Sequence, residues 1–216
     1  MAHTRQASSE ADLCAIGIDA GWSTLRTALL AERGPRIELC GVAHEHRPER
    51  GVQRVIDRVV DRMLRDTATL RGDVTLLAVT GAPPGDEPDP GPILRATAHA
   101  RGARFLNARA RAVLDLGDRH SSAIRLGEDG SVAAAIESSQ PPSVTHLGAL
   151  LGEIQAPSPV LITGGRAGDS ALLAHLALEC RPLELLTHPL SAFAGAIGAA
   201  LSGLLSEHAL PLIVAR

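Results

Sequence analysis

Apolar runs and one helical repeat of apolar positions occupy the first third of the chain, and each pattern predicts a type of element. Three apolar runs, 13–20, 25–32 and 36–45, are separated by short turns, and the Gly-Pro pair at 34–35 is typical of a hairpin. We therefore expect three antiparallel strands. Between residues 52 and 64 apolar residues recur at i, i+3 and i+4, which predicts an amphipathic helix with arginines and aspartates on its wet face.

The next segments predict one more strand, an interruption and a second helix. Residues 73–81 contain an apolar run that stops at Gly81, which indicates a buried strand. The Pro- and Gly-rich stretch 82–92 can be neither helix nor strand and is typical of a loop or hinge. Residues 93–103 predict a short helix that ends at Gly102, because glycine commonly follows the last helical residue.

The order of strand, Asp-x-Gly turn, strand, turn and strand then occurs a second time, about a hundred residues after the first. This second cycle spans 110–137 and indicates an internal duplication. Helices are predicted at 145–154 and 169–180, and a strand that ends in a Gly-Gly turn is predicted at 157–168. A final helix, with small residues on one face, is predicted at 188–208.

The first Asp-x-Gly turn, in the stretch AIGIDAGWSTLRTALL, has the residues of a phosphate-binding loop. Gly21 allows successive backbone N–H groups to point inward, and the hydroxyls of Ser23 and Thr24 can donate to phosphate oxygens. Asp19 can hold a hydrated Mg²⁺ ion through its water shell, so we assign it both a catalytic and a metal-binding role. Trp22, the single tryptophan, lies at the tip of the turn, where a nucleotide would pass.

Two later glycine turns would complete the site. Asp115 and Gly117 repeat the first turn in the second cycle, with Asp115 in the catalytic role, so a nucleotide would lie between the two cycles. At Gly164 and Gly165 the backbone could approach a nucleoside closely. A single Asp-x-Gly turn is usually only a hairpin, and it is the series of three glycine turns after apolar strands that favours nucleotide binding.

Composition narrows the classes of function. The formal net charge of −3 and the aromatic content of 1% argue against nucleic-acid binding, because there is no basic excess and no set of stacking platforms. The three cysteines, Cys14, Cys40 and Cys180, are scattered, so we expect buried, unreactive thiols rather than a disulfide or a zinc site. Residues 1–12 predict a disordered leader that is not a signal peptide, and no apolar run is long enough for a membrane span. We therefore expect a cytoplasmic protein.

The motifs, taken in order, resemble those of the acetate kinase/sugar kinase/Hsp70/actin superfamily. The stretches IGIDAGWST, ARAVLDLGDRHSSAIRLGEDGSV, VLITGGRAGDSALLAHL and PLSAFAGAIGAAL follow one another as its motifs do. Within the superfamily, the chain is similar to the ATPase family of 2-hydroxyacyl-CoA dehydratase activators and the ATP-hydrolysing subunits of benzoyl-CoA reductase. The similarity is clearest in ATAHARGARFLNARARAVLDLGDRHSSAIRL and covers most of residues 13–204.

The resemblance implies an α/β fold of two duplicated ribonuclease H-like lobes, the actin/Hsp70/sugar-kinase-like ATPase fold, with the second lobe truncated. The expected boundaries are the leader at 1–12, an N-terminal lobe at 13–110 and a C-terminal lobe at 111–216. The resemblance also implies ATP or ADP bound with Mg²⁺. Cofactor contacts would come from Gly21, Trp22, Ser23, Thr24, Gly117, Ser121, Gly164 and Gly165.

Several positions depart from the family pattern. Trp22 replaces a small hydroxyl residue in the first loop. In the second loop Asp118 stands where the family has glycine, His120 where it has aspartate and Ser122 where it has lysine. A carboxylate beside a polyphosphate adds charge repulsion. Residues 138–159 contain neither the cluster cysteine nor the Gly-Thr-Gly motif of the family, so we expect no iron–sulfur cluster.

Two functions are favoured by the sequence, and a small-molecule kinase or another activity of the superfamily stays open although no acceptor-binding residues point to it. The first is a nucleotide-binding ATPase-family subunit or regulator that acts with a CoA-ester reductase or dehydratase, or with a paralogous ATPase subunit, and has no cluster of its own. The second is a catalytically inactive pseudo-ATPase that serves as a protein-binding scaffold, which Trp22 and Asp118 favour. A homodimer is compatible with both, and neither nucleic acid nor membrane is an expected partner. We expect His99 to pack or hydrogen-bond rather than catalyse, and His120 to lie exposed in a loop.

Overall fold

The structure is a computed structural model and describes residues 13–48, 51–81, 92–140 and 142–207. The predicted leader at 1–12 and almost all of the predicted hinge at 82–92 lie outside the described residues.

The first sheet contains four strands and forms as the apolar runs predict. Strands β1 (Leu13–Ala20), β2 (Thr24–Arg33) and β3 (Arg36–His46) pair antiparallel through two tight turns, and β4 (Leu76–Gly81) pairs parallel with β1. The strand order is β3-β2-β1-β4. Helix α1 (Val52–Asp66) connects β3 to β4, as a parallel pair requires a crossover.

The second sheet repeats this topology, which confirms the predicted duplication. Strands β5 (Ala112–Leu116), β6 (Ser121–Leu126) and β7 (Val132–Ser138) pair antiparallel, and β8 (Val160–Thr163) pairs parallel with β5. The crossover is helix α3 (Val144–Glu153).

One short strand and one further helix complete the second sheet and its cover. The two-residue strand β9 (Leu185–Leu186), which the hydrophobic pattern did not predict, adds to β8 and gives the order β7-β6-β5-β8-β9. Helix α4 (Ser170–Glu179) lies between β8 and β9 in the chain. It is capped by the side chain of Asp169, which accepts a hydrogen bond from the Leu172 N–H.

Helices α2 (Pro92–Leu106) and α5 (Ala194–Glu207) lie between the two sheets and pack against each other. The apolar face of the first sheet that is turned away from α1 packs on α5, and the corresponding face of the second sheet packs on α2. The outer faces are covered by α1 on the first sheet and by α3 and α4 on the second. The layers are therefore helix, sheet, helix pair, sheet and helices.

Glycines allow the backbones of the central layer to approach one another. A Cβ at Gly102 would lie 1.9 Å from the Ala194 carbonyl oxygen, and one at Gly198 would lie 1.6 Å from the Ala98 oxygen. The prediction that α2 ends at Gly102 is wrong, because the helix continues to Leu106 and this glycine serves packing. The small-residue face predicted for the last helix does serve close packing.

The predicted boundary between lobes at 110 and 111 stays a prediction, although α5, which lies in the predicted C-terminal lobe, packs on the first sheet. Among the described residues, no helix has both the length and the apolar character that a bilayer crossing needs. Cys14 and Cys180 are buried as expected, whereas Cys40 is exposed on β3, so the expectation of buried thiols is wrong for Cys40.

Candidate functional site

A cleft lies between the two sheets, at the carboxyl ends of their parallel strands. About 430 Å³ of open space lies between its walls, with solvent at the mouth included, and a water-sized sphere can be centred in about 30 Å³ of it. All three glycine turns predicted from the sequence reach it. Its lining consists of Asp19, Ala20, Gly21, Trp22, Ser23, Thr24, Arg26, Gly81, Arg95, His99, Asp115, Gly117, Asp118, His120, Gly164 and Gly165.

The two predicted catalytic aspartates occupy equivalent places in the duplicated sheets. Asp19 is the second-last residue of β1 and Asp115 the second-last of β5, and both are buried, with 8% and 3% of their surfaces exposed. The other residues of β1 on the same face as Asp19 pack against α5, and those of β5 on the same face as Asp115 pack against α2. The duplication therefore brings two carboxylates to one cleft.

The Asp19 carboxyl lies at the start of α5, where a Cβ on Gly195 would be 2.7 Å from its Oδ2 atom. Burial is the main influence on its pKa and raises it above the ordinary value of 3.8. The charge of His99 is the next influence and opposes the rise, while Asp115 adds to it. Ionised Asp19 is thus a desolvated carboxylate that a bound cation would stabilise.

Asp115 is held among two histidines and a glycine turn. The His99 Nε2 atom lies 3.5 Å from Asp115 Oδ2, and the His120 Nε2 atom lies 3.8 Å from the same oxygen. A Cβ on Gly164 would lie 2.2 Å from Asp115 Oδ1, and Gly164 has a φ of +87°. Both the close approach and the backbone conformation require glycine there.

His99 was not predicted to line the cleft, but the structure places it there. It projects from α2, only 2% of its surface is exposed, and its Nδ1 atom hydrogen-bonds with the Thr163 hydroxyl at 3.1 Å. The expectation that His99 hydrogen-bonds is confirmed. His120 is half-buried rather than exposed, so its predicted exposure is wrong, and its ring faces Asp115 because the turn after β5 folds back over the cleft.

The first glycine turn is closed by backbone hydrogen bonds. The Gly21 N–H donates to the Thr24 carbonyl oxygen at 3.1 Å, and a Cβ on Gly21 would lie 2.8 Å from that oxygen. Arg47 also binds this loop. Its backbone N–H donates to the Ser23 carbonyl oxygen, and its guanidinium donates to the Gly21 carbonyl oxygen. The hydroxyls of Ser23 and Thr24 lie 3.3 Å apart and line the cleft.

The second glycine turn has the same closure, because the Gly117 N–H donates to the His120 carbonyl oxygen at 3.0 Å. Ser121, which was predicted to contact a cofactor, is the first residue of β6 and is fully buried. Its side chain is not part of the lining, and among the described residues its hydroxyl has no hydrogen-bond partner.

Contacts between the two loops cross the mouth of the cleft. The Ser23 hydroxyl donates a hydrogen bond to the Asp118 carboxylate. The Arg119 guanidinium stacks on the Trp22 ring at 4.3 Å from its centroid, and 56% of the Trp22 surface is exposed. These four residues come from the turns of different sheets, and no sequence period connects them.

Sequence reasoning also missed two arginines of the lining. Arg26 lies directly opposite Asp19 in the β1–β2 register, and its guanidinium packs against Gly165, with Nη2 2.6 Å from the position of a Cβ there. Arg95 lies one helical turn before His99 on α2 and pairs with Glu137 of β7. Placing either arginine in the cleft requires the strand register or the position of α2, which local patterns do not provide.

The donor groups fit a Mg²⁺ ion that is held jointly with phosphate oxygens. Among the described residues no group of three or more His, Cys, Asp or Glu side chains is arranged to bind a metal by itself. Mg²⁺ keeps several waters and uses one or two protein carboxylates together with phosphates, which Asp19 and Asp115 match. Thr80, the register partner of Asp19 on β4, has a buried hydroxyl without a hydrogen-bond partner among the described residues, which suits a bound water.

Comparison with known proteins finds similar chains. No family model matches. One of the subunits of benzoyl-CoA reductase from Thauera aromatica is 33% identical over 116 residues, which are 54% of this chain and 41% of that relative. The chain thus matches less than half of the length of that curated relative.

Solved structures share the fold. Component A of (R)-2-hydroxyglutaryl-CoA dehydratase from Acidaminococcus fermentans aligns with a TM-score of 0.76 and 14% identity, over 91% of this chain and 100% of that one. The activator of 2-hydroxyisocaproyl-CoA dehydratase from Clostridium difficile, with bound ADPNP, aligns with a TM-score of 0.74 and 16% identity, over 94% and 100%.

Proposed function

We propose that the chain belongs to the ATPase family of the actin/Hsp70/sugar-kinase superfamily and is a nucleotide-binding subunit or regulator that acts with a CoA-ester reductase or dehydratase. The ligand of the cleft is ATP or ADP with Mg²⁺. The observation that carries the proposal is the placement of two buried carboxylates, Asp19 and Asp115, at one cleft that three glycine turns also reach.

Each lining group has a role in this proposal. Asp19 and Asp115 would hold a hydrated Mg²⁺ ion, which would neutralise phosphate charge. The hydroxyls of Ser23 and Thr24 donate to phosphate oxygens, and the guanidinium of Arg26 adds a charge-assisted donor on the side of the third turn.

Other groups position these contacts. Gly117 allows the second turn to close, and Gly164 and Gly165 form the surface that a nucleoside contacts. Ser121 is the first residue of β6, directly after the second loop, and is buried outside the lining. Trp22 lies at the cleft mouth and reports nucleotide binding through its fluorescence, because it is the single tryptophan of the chain.

The cysteines of this chain do not fit an iron–sulfur cluster, so the proposal includes none. Cys14 lies in the apolar layer between the first sheet and α1, and Cys180 in the layer between the second sheet and α3 and α4. Each of these two thiols is buried among apolar side chains of a different layer, so they cannot ligate one cluster together. Cys40 is exposed on β3, so the three thiols do not share one surface.

A protein partner follows from the relatives, which are subunits or activators of CoA-ester enzymes by name. The proposed partner is a reductase or dehydratase of that type or a paralogous ATPase subunit. A homodimer is compatible with this arrangement. The expected location is the cytoplasm.

A second candidate is an inactive pseudo-ATPase that serves as a scaffold. The observation that favours it is the contact between Ser23 and Asp118, which places a carboxylate on a hydroxyl that nucleotide binding needs. The two candidates differ in whether nucleotide reaches the cleft.

The proposal is tested by titrating the protein with ADP while recording Trp22 fluorescence, with Mg²⁺ and then with EDTA. We expect a saturable change that requires Mg²⁺ and is weakened at least about tenfold by Asp115→Asn, a loss of about 1.4 kcal/mol. Asp129→Asn is the matched control, since Asp129 lies exposed in the β6–β7 turn, where its carboxylate accepts hydrogen bonds from Ser131. A titration with no saturable change supports the scaffold candidate instead.

A further inference from the structure

The two turns that would bind phosphate contact each other directly. Ser23 follows Gly21 in the first turn, Asp118 follows Gly117 in the second, and the Ser23 hydroxyl donates to the Asp118 carboxylate. Each residue therefore comes from a different sheet of the duplicated fold, and the bond joins the loops across the mouth of the cleft.

The chemistry of this bond matches that of a phosphate contact. A carboxylate, like a phosphate, is an anion whose oxygens only accept hydrogen bonds, and hydroxyl donors bind both. Ser23 and Thr24 carry the two hydroxyls of the first turn that line the cleft. With Asp118 in place, the Ser23 donor is already used, and a second anion at that position would meet the carboxylate charge.

A cation–π contact lies beside the hydrogen bond between Ser23 and Asp118. The Arg119 guanidinium stacks on the Trp22 ring, 4.3 Å from the ring centroid, and Trp22 and Arg119 are the immediate neighbours of Ser23 and Asp118 in sequence. Cation–π stacking stabilises such pairs even at the protein surface. The stack thus holds the Asp118 loop against the Ser23 loop.

We infer that Asp118 determines the ligand specificity of this cleft: its carboxylate occupies the position of a ligand phosphate at Ser23, and the Trp22–Arg119 stack holds it there. This inference rests on the proposed function. A phosphate-bearing ligand must displace Asp118, whereas a neutral nucleoside need not. The Asp118 carboxylate therefore lowers the affinity of the cleft for anionic ligands and leaves its affinity for uncharged ligands unchanged.

The first test measures binding of pyrophosphate, Mg²⁺–ATP and adenosine to wild type, Asp118→Asn and Asp118→Gly by calorimetry. Removing the carboxylate charge should tighten pyrophosphate and ATP binding about tenfold. Adenosine binding should stay within about twofold, because adenosine carries no phosphate. Asp66→Asn is the control, since it makes the same charge change at an exposed residue at the end of α1, outside the cleft lining.

The second test examines the stack without any ligand. Arg119→Gln should raise the acrylamide quenching constant of Trp22 about twofold, because the guanidinium no longer covers one face of the ring. The same variant should not reproduce the tightening of pyrophosphate binding expected for Asp118→Asn, since it leaves the carboxylate in place and removes a cation from the cleft mouth. Far-ultraviolet circular dichroism of each variant verifies that the fold is retained.

The outcomes separate this inference from the proposed function. If wild type binds Mg²⁺–ATP and Asp118→Asn binds it equally well, the inference is overturned and the proposed function stands. If only the Asp118 variants bind, the inference is supported and the wild-type protein is the scaffold candidate. If neither protein binds ATP or pyrophosphate, both are overturned. Equal tightening of adenosine and pyrophosphate would also contradict the inference, since the effect would not depend on phosphate.

Discussion

The His99 Nε2 atom lies 3.5 Å from Asp115 Oδ2, and both side chains are almost completely buried. His99 belongs to α2 and Asp115 to β5, and the opposite ring nitrogen of His99 hydrogen-bonds with Thr163 of β8. The histidine thus joins the central helix layer to the second sheet at the cleft.

Replacement of His99 should destabilise the protein. His99→Ala removes a buried ring and leaves the Thr163 hydroxyl without its partner, so we expect a loss of about 2–4 kcal/mol in the free energy of unfolding. Urea unfolding of wild type and His99→Ala measures this difference in the free energy of unfolding. His175→Ala, at an exposed position of α4, should change that free energy by less than about 0.5 kcal/mol. Equal effects of the two substitutions would show that His99 does not join the layers.

Asp19→Asn should stabilise the protein at neutral pH. Burial raises the folded-state pKa of Asp19 above 3.8, so the folded state binds this proton more tightly than the unfolded state does. The free energy of unfolding therefore falls as the pH rises from about 3.8 through the raised pKa. Above that pKa the asparagine variant avoids the cost of a buried charge, and its Tm should exceed that of wild type by about 2–4 °C.

The pH dependence provides the control for this prediction. Below pH 3.8 the Asp19 carboxyl is protonated in both states, so the Tm difference between wild type and Asp19→Asn should vanish. Scanning calorimetry at several pH values measures both proteins. A variant that is less stable than wild type at a pH of about 7.5 would contradict the assignment of Asp19 as a desolvated carboxylate.

Gly198→Ala should be strongly destabilising. The new Cβ would lie 1.6 Å from the Ala98 carbonyl oxygen, so α5 and α2 must separate, at a cost of about 3 kcal/mol or more. Gly152→Ala in α3 is the matched control, because its Cβ meets no atom within 4 Å, and we expect a gain of about 0.5–1 kcal/mol. Chemical unfolding compares the two. A well-tolerated Gly198→Ala variant would exclude the close packing of the central helices.

Local sequence patterns predict most of the elements because each sheet follows a simple repeat. The apolar runs of β1 to β3 and the helical spacing in α1 depend only on which residues face the core, so the sequence alone reveals them. Gly102 is different. A glycine after an apolar helix commonly marks its end, but here it lies inside α2, where α5 approaches. Only the tertiary packing distinguishes these two uses.

Local sequence patterns also predict some residues of the candidate site and miss others. Asp19 and Asp115 could be predicted, since each follows an apolar strand within an Asp-x-Gly turn. His99 and Arg26 could not, because their positions depend on where α2 lies and on the β1–β2 register. Ser121 was assigned from its place after the second turn, but its side chain is buried outside the lining.

Arg26→Gln should weaken phosphate binding without loss of fold. The guanidinium packs between the first and third glycine turns, where a phosphate would receive a charge-assisted hydrogen bond, so the Kd for pyrophosphate should rise about tenfold. Arg54→Gln, on the exposed face of α1, removes the same charge away from the cleft and should leave the Kd unchanged. Calorimetric titration measures the Kd of both variants and of wild type. Equal Kd values for wild type and Arg26→Gln would show that Arg26 does not bind phosphate.

The most direct test of the proposed nucleotide site is calorimetric titration of the wild-type protein and Asp19→Ala with Mg²⁺–ATP, with Trp22 fluorescence recorded in parallel. Nucleotide binding at Asp19 predicts a wild-type Kd of about 1–100 μM and a loss of at least about tenfold in Asp19→Ala. Wild-type protein that takes up no ATP at millimolar concentration, or an unchanged Kd in Asp19→Ala, would contradict it.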